Sequence, residues 1–197
     1  MDNSTIFGQA VLCRPPVILG RQMRPFSAYH GLALSVLDSP FFASGTASTE
    51  DVIVAVWVCG TAWGDGGGLR LDGDGLDAVM DWGRTVGQFE VATITDALTS
   101  YMDDYMTVPR MMAPSGASSS HVPVYFKLVA TFLAHYSGFT EADAWNLPFN
   151  RLCCYLAARA EDNGSKLMTD EQKAVLERID ALGLKWQPPA AGSAADG

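Results

Sequence analysis

Apolar positions recur at helical spacing along most of this chain, and clusters of proline, glycine and serine punctuate them. Tyr29, Leu32, Ala33 and Val36 predict the buried face of a helix over 27–37, ended by Asp38-Ser39-Pro40. Ser48-Thr49-Glu50-Asp51 is a helix start: a hydroxyl caps free amides, and the two acids favour the positive end of the helix dipole. The run Val52, Ile53, Val54, Val56 and Val58 satisfies a buried strand as well as a helix. The cap, and the lack of an evident partner strand, favour a helix over 50–62. A longer helix is expected over 76–106, bent at Gly83 or Gly87, with Phe89, Ile94, Leu98, Tyr101 and Tyr105 as its apolar positions. Pro123 suits the first turn of a helix over 125–136 that Gly138 closes. Thr140-Glu141-Ala142-Asp143 opens a short helix reaching Leu147, and Pro148 opens another through Ala160, stopped by Asn163-Gly164. Thr169-Asp170-Glu171-Gln172 is a capping box for a last amphipathic helix through Leu182.

The segments between these helices set the domain plan. Pro15-Pro16 forbids a helix interior, so 1–26 reads as an extended N-terminal arm whose Val17, Ile18 and Leu19 dock on the body. Residues 64–75 form a loop rich in glycine and aspartate. Residues 109–122 form a flexible break around Pro114-Ser115-Gly116-Ala117-Ser118-Ser119-Ser120. The chain from 184 to 197 has the composition of a disordered tail. There is no internal repeat and no sustained heptad. The expected fold class is all-α: a compact irregular helical bundle over 27–183, between the arm and the tail.

Composition narrows the function. A chain of 197 residues buries roughly 70% of its unfolded surface, enough for a core without disulfides or metals. Only 18% of residues are charged and the net charge is −9, a balance that repels phosphate and argues against nucleic acid and anionic membranes as partners. Cys13, Cys59, Cys153 and Cys154 contain no Cys-x-x-Cys pair and read as small buried hydrophobes in a reducing cytoplasm. Met1-Asp2-Asn3-Ser4 does not begin a signal peptide, and the longest apolar run, 52–59, is shorter than the ~20 residues a bilayer span needs. A soluble cytoplasmic protein is expected.

Catalytic motifs are missing. No nucleophile elbow, His-Glu-x-x-His or phosphate-binding Gly-x-x-x-x-Gly-Lys-Ser/Thr loop occurs. His30 and His135 sit in apolar helical patterns, as hydrogen-bonded core or boundary residues do. His121 stands beside Ser118, Ser119 and Ser120 without an orienting group or rigid scaffold. The loop Trp63-Gly64-Asp65-Gly66-Gly67-Gly68 lacks the preceding strand and the lysine of a phosphate cradle. Asp72, Asp74 and Asp77 fail as a calcium loop, because Leu76, Asp77 and Gly83 occupy its fifth, sixth and twelfth positions. Asp103-Asp104 and Glu161-Asp162 read as solvated pairs, and Glu50, Asp51, Glu141 and Asp143 as capping acids. No catalytic residue, cofactor or metal is expected, and the protein is read as a non-enzyme. The surplus of methionine and tryptophan points to binding instead. Met102, Met106, Met111 and Met112 cluster before and inside the 109–122 break, and exposed methionine adapts to varied apolar surfaces, so these four are the expected partner contacts.

Three stretches carry a resemblance. The first runs from Pro15-Pro16-Val17-Ile18-Leu19-Gly20-Arg21 through Arg24-Pro25-Phe26-Ser27-Ala28-Tyr29-His30 to Ser39-Pro40-Phe41. The second runs from Thr49-Glu50-Asp51-Val52 to Ala55-Val56-Trp57-Val58-Cys59. The third runs from Ala144-Trp145-Asn146-Leu147-Pro148 through Cys154-Tyr155-Leu156-Ala157 to Glu161-Asp162-Asn163-Gly164. In this order, over most of 15–164, the chain resembles tail assembly chaperones of tailed bacteriophages and prophages. The Trp-x-x-Pro element ahead of an alanine-rich helix weighs most. The resemblance implies a non-enzymatic helical protein in the host cytoplasm. It would bind the apolar helices of the tape measure protein, and possibly the tail tube protein, and be absent from the finished virion. The alternatives are a structural component of the tail or head–tail junction and, from another class, a metal- or histidine-dependent enzyme.

Overall fold

A reciprocal cap or a proline starts several of the helices, and close approach at small residues packs some of them. The computed structural model describes residues 3–42, 45–65, 73–109 and 122–168, with Gln172, Ala174 and Arg178 beyond them. Among these residues the fold is all-α. The helices are α1 (Asn3–Leu12), α2 (Ala28–Val36), α3 (Thr49–Cys59), α4 (Gly73–Thr85), α5 (Val91–Met106), α6 (Val124–His135), α7 (Glu141–Asn146) and α8 (Phe149–Asp162). A hairpin of β1 (Val17–Ile18) and β2 (Arg21–Gln22) pairs Val17 with Gln22 and Ile18 with Arg21. Its two turn residues, Leu19 and Gly20, both have positive φ, the geometry that matches strand twist in a two-residue hairpin.

The N-terminal region is not the extended arm that the sequence predicts. Pro15 and Pro16 follow a helix rather than forbid one. In α1, Ile6 and Ala10, one turn apart, are buried, and the helix packs on α8, whose Arg151 guanidinium donates to the Ala10 carbonyl at 3.4 Å. Beyond the prolines, Ile18 is buried and Leu19 packs on the core as expected, whereas Val17 is exposed.

The run 52–58 is helical. Ser48 Oγ accepts the Asp51 N–H at 3.2 Å while the Asp51 carboxylate accepts the Ser48 N–H at 2.8 Å, so the cap is reciprocal. Its β-branched residues bury on nearly every side because α3 lies against α2, α4 and α5. The helix expected over 76–106 divides in two. Gly87, at φ 79°, lies in the break, whereas Gly83 is helical and buried, where an added Cβ would sit 2.8 Å from Ile53. Helices α6, α7 and α8 follow the expected pattern. The start of α8 is tied down where the Phe149 N–H donates to the Phe26 carbonyl at 2.7 Å.

Helix α2 turns a different face inward from the one its large residues predict. Ala28, His30, Gly31 and Leu34 are buried, while Tyr29, Leu32 and Ala33 are half-buried and Val36 is 57% exposed. Gly31 explains the choice: a Cβ there would lie 2.4 Å from the Tyr125 ring of α6, so only glycine lets the two helices meet. That ring is held edge-on by Phe149, with centroids 5.6 Å apart, and cannot swing away freely. Gly31→Ala is expected to lose about 1–2 kcal/mol, overpacking outweighing the helix-propensity gain of about 1 kcal/mol. Urea unfolding measures this, and a stabilised variant would mean that the Tyr125 ring yields.

The expected helix from Thr169 to Leu182 lies outside the described residues except Gln172, Ala174 and Arg178, which are helical. The centre of the glycine loop, the centre of the 109–122 break and the expected tail over 184–197 also lie outside them. No helix among the described residues is long and apolar enough to cross a membrane.

Candidate functional site

The outward face of α2 forms one wall of a surface groove of about 270 Å³. Tyr29, Leu32, Ala33 and Val36 line it at the helical spacing that marks them as a stripe in the sequence. Phe126 of α6, Trp145 of α7 and Trp63 complete the lining, and Glu141 contributes its single charged group.

Short-range polar contacts hold these walls in place. In α7, Thr140 Oγ1 accepts the Asp143 N–H at 3.1 Å, and the Asp143 carboxylate accepts the Thr140 N–H at 2.9 Å and hydroxyl at 2.6 Å. Those bonds, the hydroxyl's first, hold the Asp143 carboxyl below its ordinary range. Trp145 Nε1 donates to Glu141 Oε1 at 3.2 Å, one turn back, and the Trp145 ring meets Phe126 edge-on at 5.3 Å. Asn146 clamps the Trp63 backbone twice. Its Oδ1 accepts the Trp63 N–H at 2.7 Å, and its Nδ2 donates to the Trp63 carbonyl at 3.0 Å.

Behind the groove, His30 ties α2 to the chain leaving α3. The Ser27 N–H donates to Nδ1 at 3.0 Å, which makes Nδ1 the acceptor and assigns the ring proton to Nε2, the donor to the Thr61 carbonyl at 2.8 Å. Burial is the main cause that pushes the His30 pKa down, to about 4. This is the hydrogen-bonded core histidine that the sequence predicts. His135 is exposed in the last turn of α6, and His121 lies outside the described residues.

Among the described residues the other groups with reactive potential are dispersed. All four cysteines are free thiols, two buried and two half-buried, and burial pushes Cys59 and Cys153 up to about 12, away from thiolate chemistry. Among the described residues no three His, Cys, Asp or Glu side chains gather where they would hold a metal ion.

Of the four methionines expected as partner contacts, the structure moves one, Met102, into the core. Met102 is 4% exposed and belongs to the core with Leu98, Tyr101 and Tyr105, the inward stripe of α5. Met106 is half-buried against that core, and Met111 and Met112 lie outside the described residues. A second apolar depression, about 400 Å³, runs between α6 and α8 beside Val108, Pro109, Val124, Leu128 and Leu156. Val124 and Phe126 are both at least half exposed, so α6 presents apolar side chains to both depressions. The aromatic groove goes unseen in the sequence because its lining comes from four separated segments. The one signal for it is the stripe on α2, which reads there as core.

No protein-family model matches this chain, and no curated protein or solved structure matches it.

Proposed function

We propose that the protein is a non-enzymatic binding protein for apolar helical polypeptides, and that it acts as a tail assembly chaperone on a tape measure protein. The observation that carries this reading is the aromatic groove itself. It is lined mainly by exposed or half-buried apolar side chains from three helices and Trp63, beside a second apolar depression, and backed by a buried, hydrogen-bonded histidine. Its volume, about 270 Å³, lies below the roughly 300–1,000 Å³ of sites that enclose small molecules. A side chain projecting from a partner helix fits that size better than a whole cofactor does. Helices dock in such grooves through residues at i, i+3, i+4 and i+7. Aromatic walls grip varied apolar shapes, which suits a partner whose faces change along its length. The choice of a tape measure protein among helical partners rests on the resemblance of the sequence.

Co-expression with the tape measure protein of the same genome tests this. The long protein is expected to become soluble and to copurify. Val36→Asp and Phe126→Ser are expected to abolish most of that recovery, because they place polar groups on the contact. Replacing Met106, Met111 and Met112 with Ser tests the methionine stretch separately. A tape measure protein equally soluble alone would end the chaperone reading. Mass spectrometry of purified particles is expected to find the chain absent, and a stoichiometric amount there would make it a structural component instead.

A further inference from the structure

The groove combines four aromatic rings with one carboxylate, and this pairing recognises a cation more specifically than it recognises an apolar group. We infer that the groove takes the side chain of an arginine or lysine set within the apolar stripe of the partner helix. This rests on the reading of the groove as a helix-docking site and adds the residue type that the site selects.

Glu141 carries the argument. Its Oε1 accepts the Trp145 indole N–H at 3.2 Å, and among the described residues it forms no ion pair; the basic groups that do form one pair with Asp65 and Asp81. The neighbouring acid, Asp143, is occupied in capping α7. The second carboxylate oxygen of Glu141 is therefore the charge that the groove offers an incoming group. A partner helix seated with only apolar side chains would strip water from that carboxylate and return nothing, which is a penalty. A helix bringing a guanidinium or ammonium to the same place converts the penalty into an ion pair.

The remaining lining fits a basic side chain along its length. Leu32, Ala33 and Val36 offer an aliphatic track for the methylene stem, and Tyr29, Trp63 and Phe126 offer rings for the charged head. Arginine suits this better than lysine, because its planar head stacks on rings and forks onto a carboxylate. The chain shows the ring half of this recognition internally, where the Arg21 guanidinium lies 4.2 Å from the Trp57 ring centroid. The net charge of −9 draws cationic segments toward the surface before contact.

Calorimetric titration of the intact chain tests the inference. The probe is an amphipathic leucine–alanine helical peptide bearing one arginine inside its apolar stripe, compared with the same peptide carrying citrulline, a neutral isostere. The arginine peptide is expected to bind about tenfold more tightly, the combined scale of one exposed cation–π contact and one ion pair. Glu141→Gln, which keeps an acceptor for Trp145, is expected to shrink that preference to the roughly two- to fivefold that ring contact alone supplies, and to let the citrulline peptide bind as well as before or slightly better, since no carboxylate is then stripped of water. Equal binding of both peptides by the native chain would overturn the cation site and leave the helix-docking reading standing. An arginine preference undiminished in Glu141→Gln would overturn the assignment to this groove. Binding of neither peptide would overturn the docking reading and the cation site together.

Discussion

Trp145→Ala is expected to destabilise the fold by about 3–5 kcal/mol, the scale for truncating a buried large aromatic residue. The ring is 3% exposed, so the substitution removes nearly its whole packed surface rather than a rim contact. It also removes the donor to Glu141 and the edge-on partner of Phe126. Helix α7 has 6 residues, far fewer than the ~12–15 that make an isolated helix even marginally stable. Its persistence depends on the Thr140–Asp143 cap and on Trp145 packing against α6. Against a typical domain stability of about 5–15 kcal/mol the loss is large. Asn146, which holds the Trp63 backbone from the same short helix, should loosen with it, and the groove should lose two walls together. Urea unfolding gives the magnitude, and hydrogen exchange at the amides of α7 and Trp63 shows whether the local loosening occurs. A near-neutral Trp145→Ala would mean that the ring does not anchor α7.

The features of this fold that depend on neighbours in sequence are legible without the structure. Ser48 with Asp51 and Thr140 with Asp143 are three residues apart, and each reciprocal cap forms as its spacing predicts. The starts of α6 and α8 at Pro123 and Pro148, and the stop at Asn163-Gly164, follow equally local rules. What the sequence hides depends on contacts distant along the chain. Both sides of α2 are apolar, so residue size points to Tyr29, Leu32 and Val36 as the inner face. The packing is decided instead by Tyr125, 94 positions from Gly31 in the numbering, which needs a residue without a side chain beneath it. Helix α1 escapes a local reading because the prolines after it dominate that stretch, whereas its burial depends on α8. Met102 resembles a contact residue because its neighbours 111 and 112 lie in a polar break, yet its place on α5 puts it in line with Leu98 and Tyr105. The groove follows from the inverted face of α2. The residues that look most like core stop at its edge, with Tyr29, Leu32 and Ala33 half-buried and Val36 exposed, and together they form one wall of the groove.

Acidification is expected to cost the fold about 3 kcal/mol through His30 alone, lost progressively between pH 6.5 and about 4. In the unfolded chain the imidazole takes up a proton near 6.5, its ordinary value, whereas in the fold it stays neutral down to about 4. Desolvation is the largest cause. The bond to the Thr61 carbonyl opposes it, and the nearby Arg24 charge adds to it. Between these two values the unfolded state binds more protons than the folded state, so stability rises with pH across the window and falls as acid is added. Above pH 6.5 both states are neutral at this residue and its contribution is complete, while below about 4 both are charged and no further loss comes from it. Asp143 acts in a separate window. Its carboxyl is held below an ordinary 3.8, so its contribution is present above that value and is lost at lower pH. A His30→Gln variant isolates the histidine. Glutamine does not titrate, so the variant should be less stable at neutral pH yet show a flatter dependence across the same window, with His121 and His135 common to both proteins. Urea midpoints taken through the window decide the matter, and an unchanged slope in His30→Gln would place the acid sensitivity elsewhere. Because His30 bonds to Thr61, two residues before Trp63, and follows Tyr29 directly, the groove walls should loosen before the α3 core does. Under the proposed helix-docking role, loss of peptide binding should then begin at a higher pH than global unfolding.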